Sequence, residues 1–228
     1  MKLRLAFIFA LVCASTAQAI LWIAPSRFSA PSGATYLINQ NFETPTTGYD
    51  NGETWTETGG PNPVYTPAIV GSQSLRIYSA SSSAVFAESP TFSAQSDVWY
   101  RCRFRINALN NFNGDAQFSV RGGVNTLAGL YVQTDGTVKF KVNGADSAAS
   151  ATTLSTGTNY YVWIHYVASN TCTLYVSSSS TRPSSDGSGN VVRTGTAGAV
   201  NADKVLCYNG FYQGDFIFDE ILVSTSSL

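Results

Sequence analysis

Charge is scarce in this chain: Asp, Glu, Lys and Arg make up 12% of its 228 residues, 13 basic against 14 acidic. No basic run occurs, which argues against binding nucleic acid through its phosphates. Histidine occurs once, at His165, and no Gly-x-Ser-x-Gly elbow accompanies it, so a serine-nucleophile triad has little to build on. Cysteine pairs at metal-ligand spacing are missing, as are glycine-rich phosphate loops. Helical periodicity is absent throughout. Beyond the first 19 residues, no apolar stretch is long enough to span a bilayer.

What is present begins with a short basic start, Met1-Lys2-Leu3-Arg4, an apolar run over Leu5–Ala14, and the small-residue end Ser15-Thr16-Ala17-Gln18-Ala19. That order describes a secretory signal peptide over residues 1–19, cut after Ala19. The protein is therefore expected to be secreted, periplasmic or extracellular, without membrane insertion after cleavage. The remaining 209 residues carry 11 basic and 14 acidic side chains, a net charge of −3, and are enough for one domain with a sizeable core. They keep three cysteines, Cys102, Cys172 and Cys207, an odd number that cannot all pair within one chain. Cys102 and Cys172 both alternate with apolar neighbours, which favours buried thiols over a Cys102–Cys172 bridge.

Residues 20–35, with two prolines and several small residues, read as an irregular lead-in to a domain over residues 36–228. Strand signals then recur at Tyr36–Glu43, Ser74–Tyr78, Ala84–Glu88, Trp99–Ile106 and Ala116–Arg121. A hairpin, Leu130–Thr134 with Thr137–Val142, turns on Asp135-Gly136. A second joins Tyr160–Val167 to Cys172–Ser177. Lys204–Tyr208 leads into the closing strand, Gly214–Ser224, which is apolar on both alternation faces and so suits a strand covered on both sides. The polar stretches Thr44–Pro67 and Ser178–Gly198 read as a long loop, with Tyr49, Trp55 and Tyr65 as anchors, and a connection. Many short strands and no helix predict an all-β fold, a two-sheet antiparallel sandwich in a single domain. The first and last strands are expected to lie side by side.

Asn41-Phe42-Glu43, Trp55, Gly71-Ser72-Gln73-Ser74-Leu75-Arg76-Ile77 and Phe218-Asp219-Glu220-Ile221-Leu222-Val223-Ser224 together resemble secreted bacterial jelly-roll domains. The nearest family is the concanavalin A-like (laminin-G-like) lectin and glucanase sandwich, with similarity to carbohydrate-binding modules. The resemblance runs from about Tyr36 to Ser224 and implies a concanavalin A-like jelly roll that binds carbohydrate. It also implies a structural calcium (Ca2+) between the first and last strands. Glu43 and Asp219 are the residues to hold it, with Asp50 or Glu53 as further oxygen donors. The same acids could instead accept backbone and hydroxyl hydrogen bonds and hold no ion.

Alternation on the strand before Asn107 places Tyr100, Cys102, Phe104 and Ile106 on one side, and Trp99, Arg101, Arg103 and Arg105 on the other. Gln117, Arg121 and Tyr131 on following strands could extend that second face. Aromatic rings cover the apolar faces of sugars, while Arg and Gln offer planar donors to hydroxyls and carboxylates. The expected function is therefore non-catalytic, lectin-like binding of an extracellular polysaccharide, with an acidic glycan as the class such a face suits. The bland alternative is a solvated outer face. A polysaccharide lyase would need an acid–base pair from His165 and Tyr212 or Tyr208, with Arg103 or Arg121 and Gln117 neutralising a uronate. The known lyase motifs are absent, however, and His165 on a strand apolar on both sides reads better as a core residue. A structural or adhesive surface protein is a third reading. A retaining glycosidase is disfavoured: Asp215 and Asp219 lie four residues apart on one strand, about 13 Å against the roughly 5.5 Å required.

Overall fold

The computed structural model describes residues 35–80, 83–110, 116–210 and 213–228. The expected signal peptide and nearly all of the lead-in lie outside these residues, as does Tyr212. The described chain forms β1 (Tyr36–Gln40), β2 (Thr56–Thr58), β3 (Asn62–Tyr65), β4 (Ser74–Tyr78) and β5 (Val85–Glu88). Then come β6 (Asp97–Ala108), β7 (Phe118–Gly122), β8 (Asn125–Val132), β9 (Val138–Val142) and β10 (Ala145–Asp146). The chain ends through β11 (Asn159–Val167), β12 (Thr171–Ser177), β13 (Val191–Thr196), β14 (Lys204–Asn209) and β15 (Asp215–Ser224). No described residue is helical, and no helix is long and apolar enough to cross a membrane.

Two antiparallel sheets face each other. One runs β13-β12-β11-β6-β15-β4-β3, with β1 also paired to β15, and the other runs β10-β9-β8-β7-β14-β5-β2. This is the all-β sandwich that the turn-punctuated strands predict. The core forms where alternate residues of facing strands meet: Tyr100, Cys102, Phe104 and Ile106 of β6 pack with Phe118 and Val120 of β7 and with Phe216 and Phe218 of β15. Those residues are fully buried, as are all three described cysteines, which are free thiols. Four strands depart from the sequence reading, one of them β10, a two-residue strand paired to the end of β9. β2 and β3 are short stretches within the polar excursion, and β13 lies inside the Ser/Gly-rich connection, where Val191 and Val192 are its only apolar signal.

The closing strand is central. One edge of β15 pairs with β6 along its length, and the other is shared: Asp215–Phe218 pair with β4, and Ile221–Ser224 pair with β1. All ten of its residues are buried. Where the partner changes from β4 to β1, the register with β6 shifts between Asp219 and Leu222, and Glu220 adopts φ 45°. A residue inserted at such a bulge frees consecutive side chains from strict alternation.

Candidate functional site

Three places bring chemically interesting residues together: the junction at Asp219, the outer face of the eight-stranded sheet, and the outer face of the seven-stranded sheet.

At the junction, Glu43 and Asp219 meet as expected, both lining a small cavity of about 20 Å³ with Asn41, Val70 and Gly71. Asp219 Oδ2 accepts from Val70 N–H at 2.9 Å and from Ser74 Oγ at 2.7 Å, and its Oδ1 accepts from Glu220 N–H at 2.8 Å. Glu43 accepts from Ser72 N–H at 2.9 Å and from Ser72 Oγ at 2.6 Å. Asp50 accepts from Asn41 N–H, Glu43 N–H and Thr44 Oγ1, and Glu53 from Gln40 and Trp55. These carboxylates face N–H and O–H donors, the arrangement that holds loops in place. Among the described residues no group of three or more His, Cys, Asp or Glu could hold a metal ion. The donor set does not fit the calcium that the resemblance implies, because donor hydrogens point at the oxygens a cation would need. Burial raises the Asp219 carboxyl to about 7, against the pull of its three hydrogen bonds.

On the outer face of the eight-stranded sheet, Trp99, Arg101, Arg103 and Arg105 do share one side of β6, opposite the core residues. The neighbouring strand β11 adds Tyr161, Trp163 and His165, which pair in register with Arg103, Arg101 and Trp99. These side chains engage one another. Arg103 Nε stands 2.7 Å from Glu220 Oε2, and its guanidinium lies over the Tyr161 ring at 4.5 Å. Arg105 donates to the Pro67 carbonyl and to Asn107. Arg101 is 6% exposed, and burial lowers its guanidinium to about 10. Trp99 is stacked on His165 at 4.0 Å and covered by Arg182 at 4.3 Å. His165 is therefore an outer-face residue, with Nε2 2.8 Å from Asp97 Oδ1, and the core reading of it is corrected.

Gln117, Arg121 and Tyr131 do not extend that face, because β7 and β8 belong to the other sheet. Nor is the lyase set assembled. His165 and Arg103 sit on one sheet, while Gln117 is buried in the other, with both ends of its amide bonded to the Val132 backbone.

The seven-stranded sheet carries a grouping that the sequence reading missed, although it named Arg121, Tyr131 and Tyr208 singly. Its outer face holds an open cavity of about 310 Å³, lined by Ala116, Arg121, Thr126, Lys141, Leu206 and Tyr208. Strand registry builds it. Lys141, Gly129, Ser119 and Leu206 are successive cross-strand partners over β9, β8, β7 and β14. Small residues in the middle of that row leave a trough. Gly129 has no room for a Cβ, which would come within 2.6 Å of Ala116 Cβ and 2.7 Å of Ser119 Oγ. Larger side chains border it: Tyr208, stacked against Phe86, and Tyr131, with Lys139 and Lys141 above its ring. Glu88 orders the far side, 3.2 Å from Lys204 Nζ and 3.6 Å from Arg121 Nε, while Arg121 also donates to the Val124 carbonyl. The signal was legible in part, since Lys139 and Lys141 alternate with Val138, Phe140 and Val142, and Lys204 and Tyr208 with Val205 and Cys207.

No protein-family model matches the chain, and no curated protein does. Solved structures do. The receptor binding domain of botulinum neurotoxin mosaic serotype C/D is 13% identical over 85% of this chain and 48% of its own, with a TM-score of 0.55. The chain thus spans about half the length of that domain. The lumenal domain of VIP36 in its Ca2+-bound form is 11% identical over 84% of this chain and 90% of its own, at TM-score 0.48. The carbohydrate-binding module CBM66 from Bacillus subtilis is 15% identical over 75% and 94%, at 0.47. At such identities the likeness to the toxin domain concerns the fold alone, a two-sheet antiparallel β-sandwich.

Proposed function

We propose that this chain is a secreted, non-catalytic carbohydrate-binding domain, and that its polysaccharide ligand lies across the outer face of the seven-stranded sheet. The observation that carries this reading is the open cavity of about 310 Å³ in which Tyr208, Thr126, Arg121 and Lys141 converge. Sugar sites combine an aromatic edge for the apolar face of a pyranose with a few hydroxyl and cationic donors for its oxygens. A trough rather than a closed chamber suits a chain ligand that enters and leaves at both ends. The Trp99/Arg101/Arg103/Arg105 ladder has a different role here, since its members are occupied by Glu220, Tyr161, Pro67 and Arg182. Non-catalytic binding is favoured because the acid–base candidate His165 and the trough lie on different sheets. The signal peptide expected over residues 1–19 suits delivery to an extracellular polysaccharide.

A glycan array probed with the purified protein tests the reading. Retention on at least one polysaccharide, lost in Tyr208→Ala and kept in His165→Ala, is the expected result. Retention of no glycan, or release of unsaturated products from a retained one, would overturn it.

A further inference from the structure

Trp99 is only 9% exposed although it stands on an outer sheet face, and part of what covers it carries charge. His165, its cross-strand partner on β11, lies face to face with the indole at 4.0 Å and 6°. The Arg182 guanidinium stands 4.3 Å from the centre of the same ring and 5.4 Å from that of Tyr175 on β12. One indole therefore holds a permanent cation and a group that becomes a cation on protonation. An aromatic ring attracts either of them through its quadrupole. Two like charges gathered on one ring, however, repel each other.

Arg182 belongs to the connection between β12 and β13, residues 178–190, most of which is exposed. The far end of that segment is fixed on its own account: Asp186 lies 3.0 Å from Arg193 Nη1 and accepts from Val192 N–H. Nearer β12, Arg182 reaches back over the sheet. Its guanidinium donates to Ser227 Oγ and to the Leu228 carbonyl, beyond the end of β15.

Charge reaches His165 from two elements. β6 supplies Asp97, whose Oδ1 is 2.8 Å from His165 Nε2, and, one step beyond Trp99 on the same face, Arg101. The connection supplies Arg182. β12 presents Thr173 opposite His165 and the phenol of Tyr175 beyond it, and β11 itself places Tyr161 and Trp163 alongside. Because Nε2–H is given to the Asp97 carboxylate, a proton gained on acidification goes to Nδ1. Asp97 is 62% exposed, so water screens much of the charge with which it would compensate. Arg182 and Arg101 both oppose the added charge.

We propose that Trp99 is the seat of a pH-dependent clasp: while His165 is neutral, Arg182 holds the connection over the indole, and protonation of His165 places a second cation there and releases Arg182. Opening uncovers the Trp99 and Tyr175 rings on the outer face of the eight-stranded sheet, away from the trough. Histidine changes charge between about pH 5 and 8, and this chain has one. Asp219, raised to about 7 at the β4–β1 junction, titrates in the same interval, so a histidine variant must separate the two.

An NMR titration of the untagged protein from pH 8 to 5 provides the test. The single histidine gives one imidazole Cε1–H signal, and the ring current of Trp99 marks the Arg182 methylene protons while they lie over the indole. On acidification those protons should lose half or more of their ring-current shift, in step with the imidazole signal. His165→Phe, which stacks but does not titrate, should keep Arg182 in place at pH 5. Coupling is reciprocal, so Arg182→Met should raise the proton affinity of His165 about threefold or more. Asp97→Asn should lower it. Thermal melts confirm that each variant folds. Arg182 signals that stay unmoved while the imidazole titrates would overturn the clasp. Equal movement in His165→Phe would overturn it too, and assign the change to another group such as Asp219. So would an imidazole titration identical in the wild type and Arg182→Met.

Discussion

Asp219 Oδ2 lies 2.7 Å from Ser74 Oγ, joining residues 145 positions apart where the closing strand changes partners. There β4 ends its pairing with β15 and β1 has not yet begun, so backbone donors of the 69–73 loop need other acceptors. Asp219 and Glu43 supply them. A buried N–H without an acceptor costs about 1–3 kcal/mol, which explains two acids beside an otherwise apolar strand.

Stability should fall as pH rises from about 4 to 7. Burial raises the Asp219 carboxyl from its ordinary 3.8 to about 7, so the folded protein holds this proton more tightly than the unfolded chain does. Between about pH 4 and 7 the native state is the more protonated, and unfolding becomes easier with each step toward alkaline pH. Three units correspond to a contribution on the order of 4 kcal/mol between those limits. Urea melts at pH 5 and pH 8 of the wild type and Asp219→Asn measure it. The wild type should lose more stability than the variant over that interval, and equal losses would sink the assignment.

Calcium should leave the melting temperature unchanged, and so should a chelator, because the Glu43 and Asp219 oxygens already accept from protein donors. Gly71→Ala should instead destabilise the same junction by about 1–3 kcal/mol. Gly71 has φ +68°, and a Cβ there would lie 1.9 Å from Glu43 Oε1. A rise of several degrees on adding calcium, abolished by Glu43→Gln, is the outcome against this view.

The Arg103–Glu220 pair should be costly to break from one side. Their side chains are 12% and 9% exposed at 2.7 Å separation, so Arg103→Met strands a buried carboxylate. The expected loss is about 3 kcal/mol or more, while the double variant with Glu220→Met should recover a good part of it. A double-mutant cycle by chemical denaturation reads the coupling directly.

Much of this was legible in the alternation of single strands. Trp99, Arg101, Arg103 and Arg105 were placed on one side of β6 and Phe104 on the other because side-chain period in a strand is two. The expectation that the chain's ends pair rests on a design shared by Tyr36–Glu43 and Gly214–Ser224, an apolar strand carrying an acid. Alternation states which residues share a side of one strand, but not which sheet the strand joins. Gln117, Arg121 and Tyr131 were therefore grouped with the β6 ladder, although hydrogen bonding puts them across the core from it. The trough was out of reach for the same reason: Lys141, Ser119 and Leu206 become neighbours only through the order β9-β8-β7-β14. His165 reads as core in the sequence because it alternates in step with Tyr161, Trp163 and Val167 on a strand apolar on both sides; in the structure Trp163 is 1% exposed on the outer face. Its burial comes with neighbours on that same outer face, among them Tyr161, whose ring lies 5.8 Å away.

The polar excursion between β1 and β4 should depend on its aromatic anchor. Tyr49 and Trp55 stack at 5.5 Å with an interplanar angle of 8°, and each meets Phe42 edge-on at about 6 Å. All three rings are buried, and Trp55 Nε1 donates to Glu53, which also accepts from Gln40 at the end of β1. The loop is thus tied to the core by rings and to the first strand by Glu53, by Asp50 N–H, which donates to Gln40, and by Asn51, which donates to the Asn39 carbonyl. Trp55→Ala removes the ring and the donor that holds Glu53, and leaves a cavity, at an expected cost of about 3–5 kcal/mol. Trp55→Phe keeps the ring but not the donor, and should cost about 1–2 kcal/mol. Thermal melts rank the variants, and limited proteolysis reports where they open. Cleavage of Trp55→Ala should appear first within residues 44–67, whereas cutting spread evenly over the chain would mean that this cluster is no separate anchor.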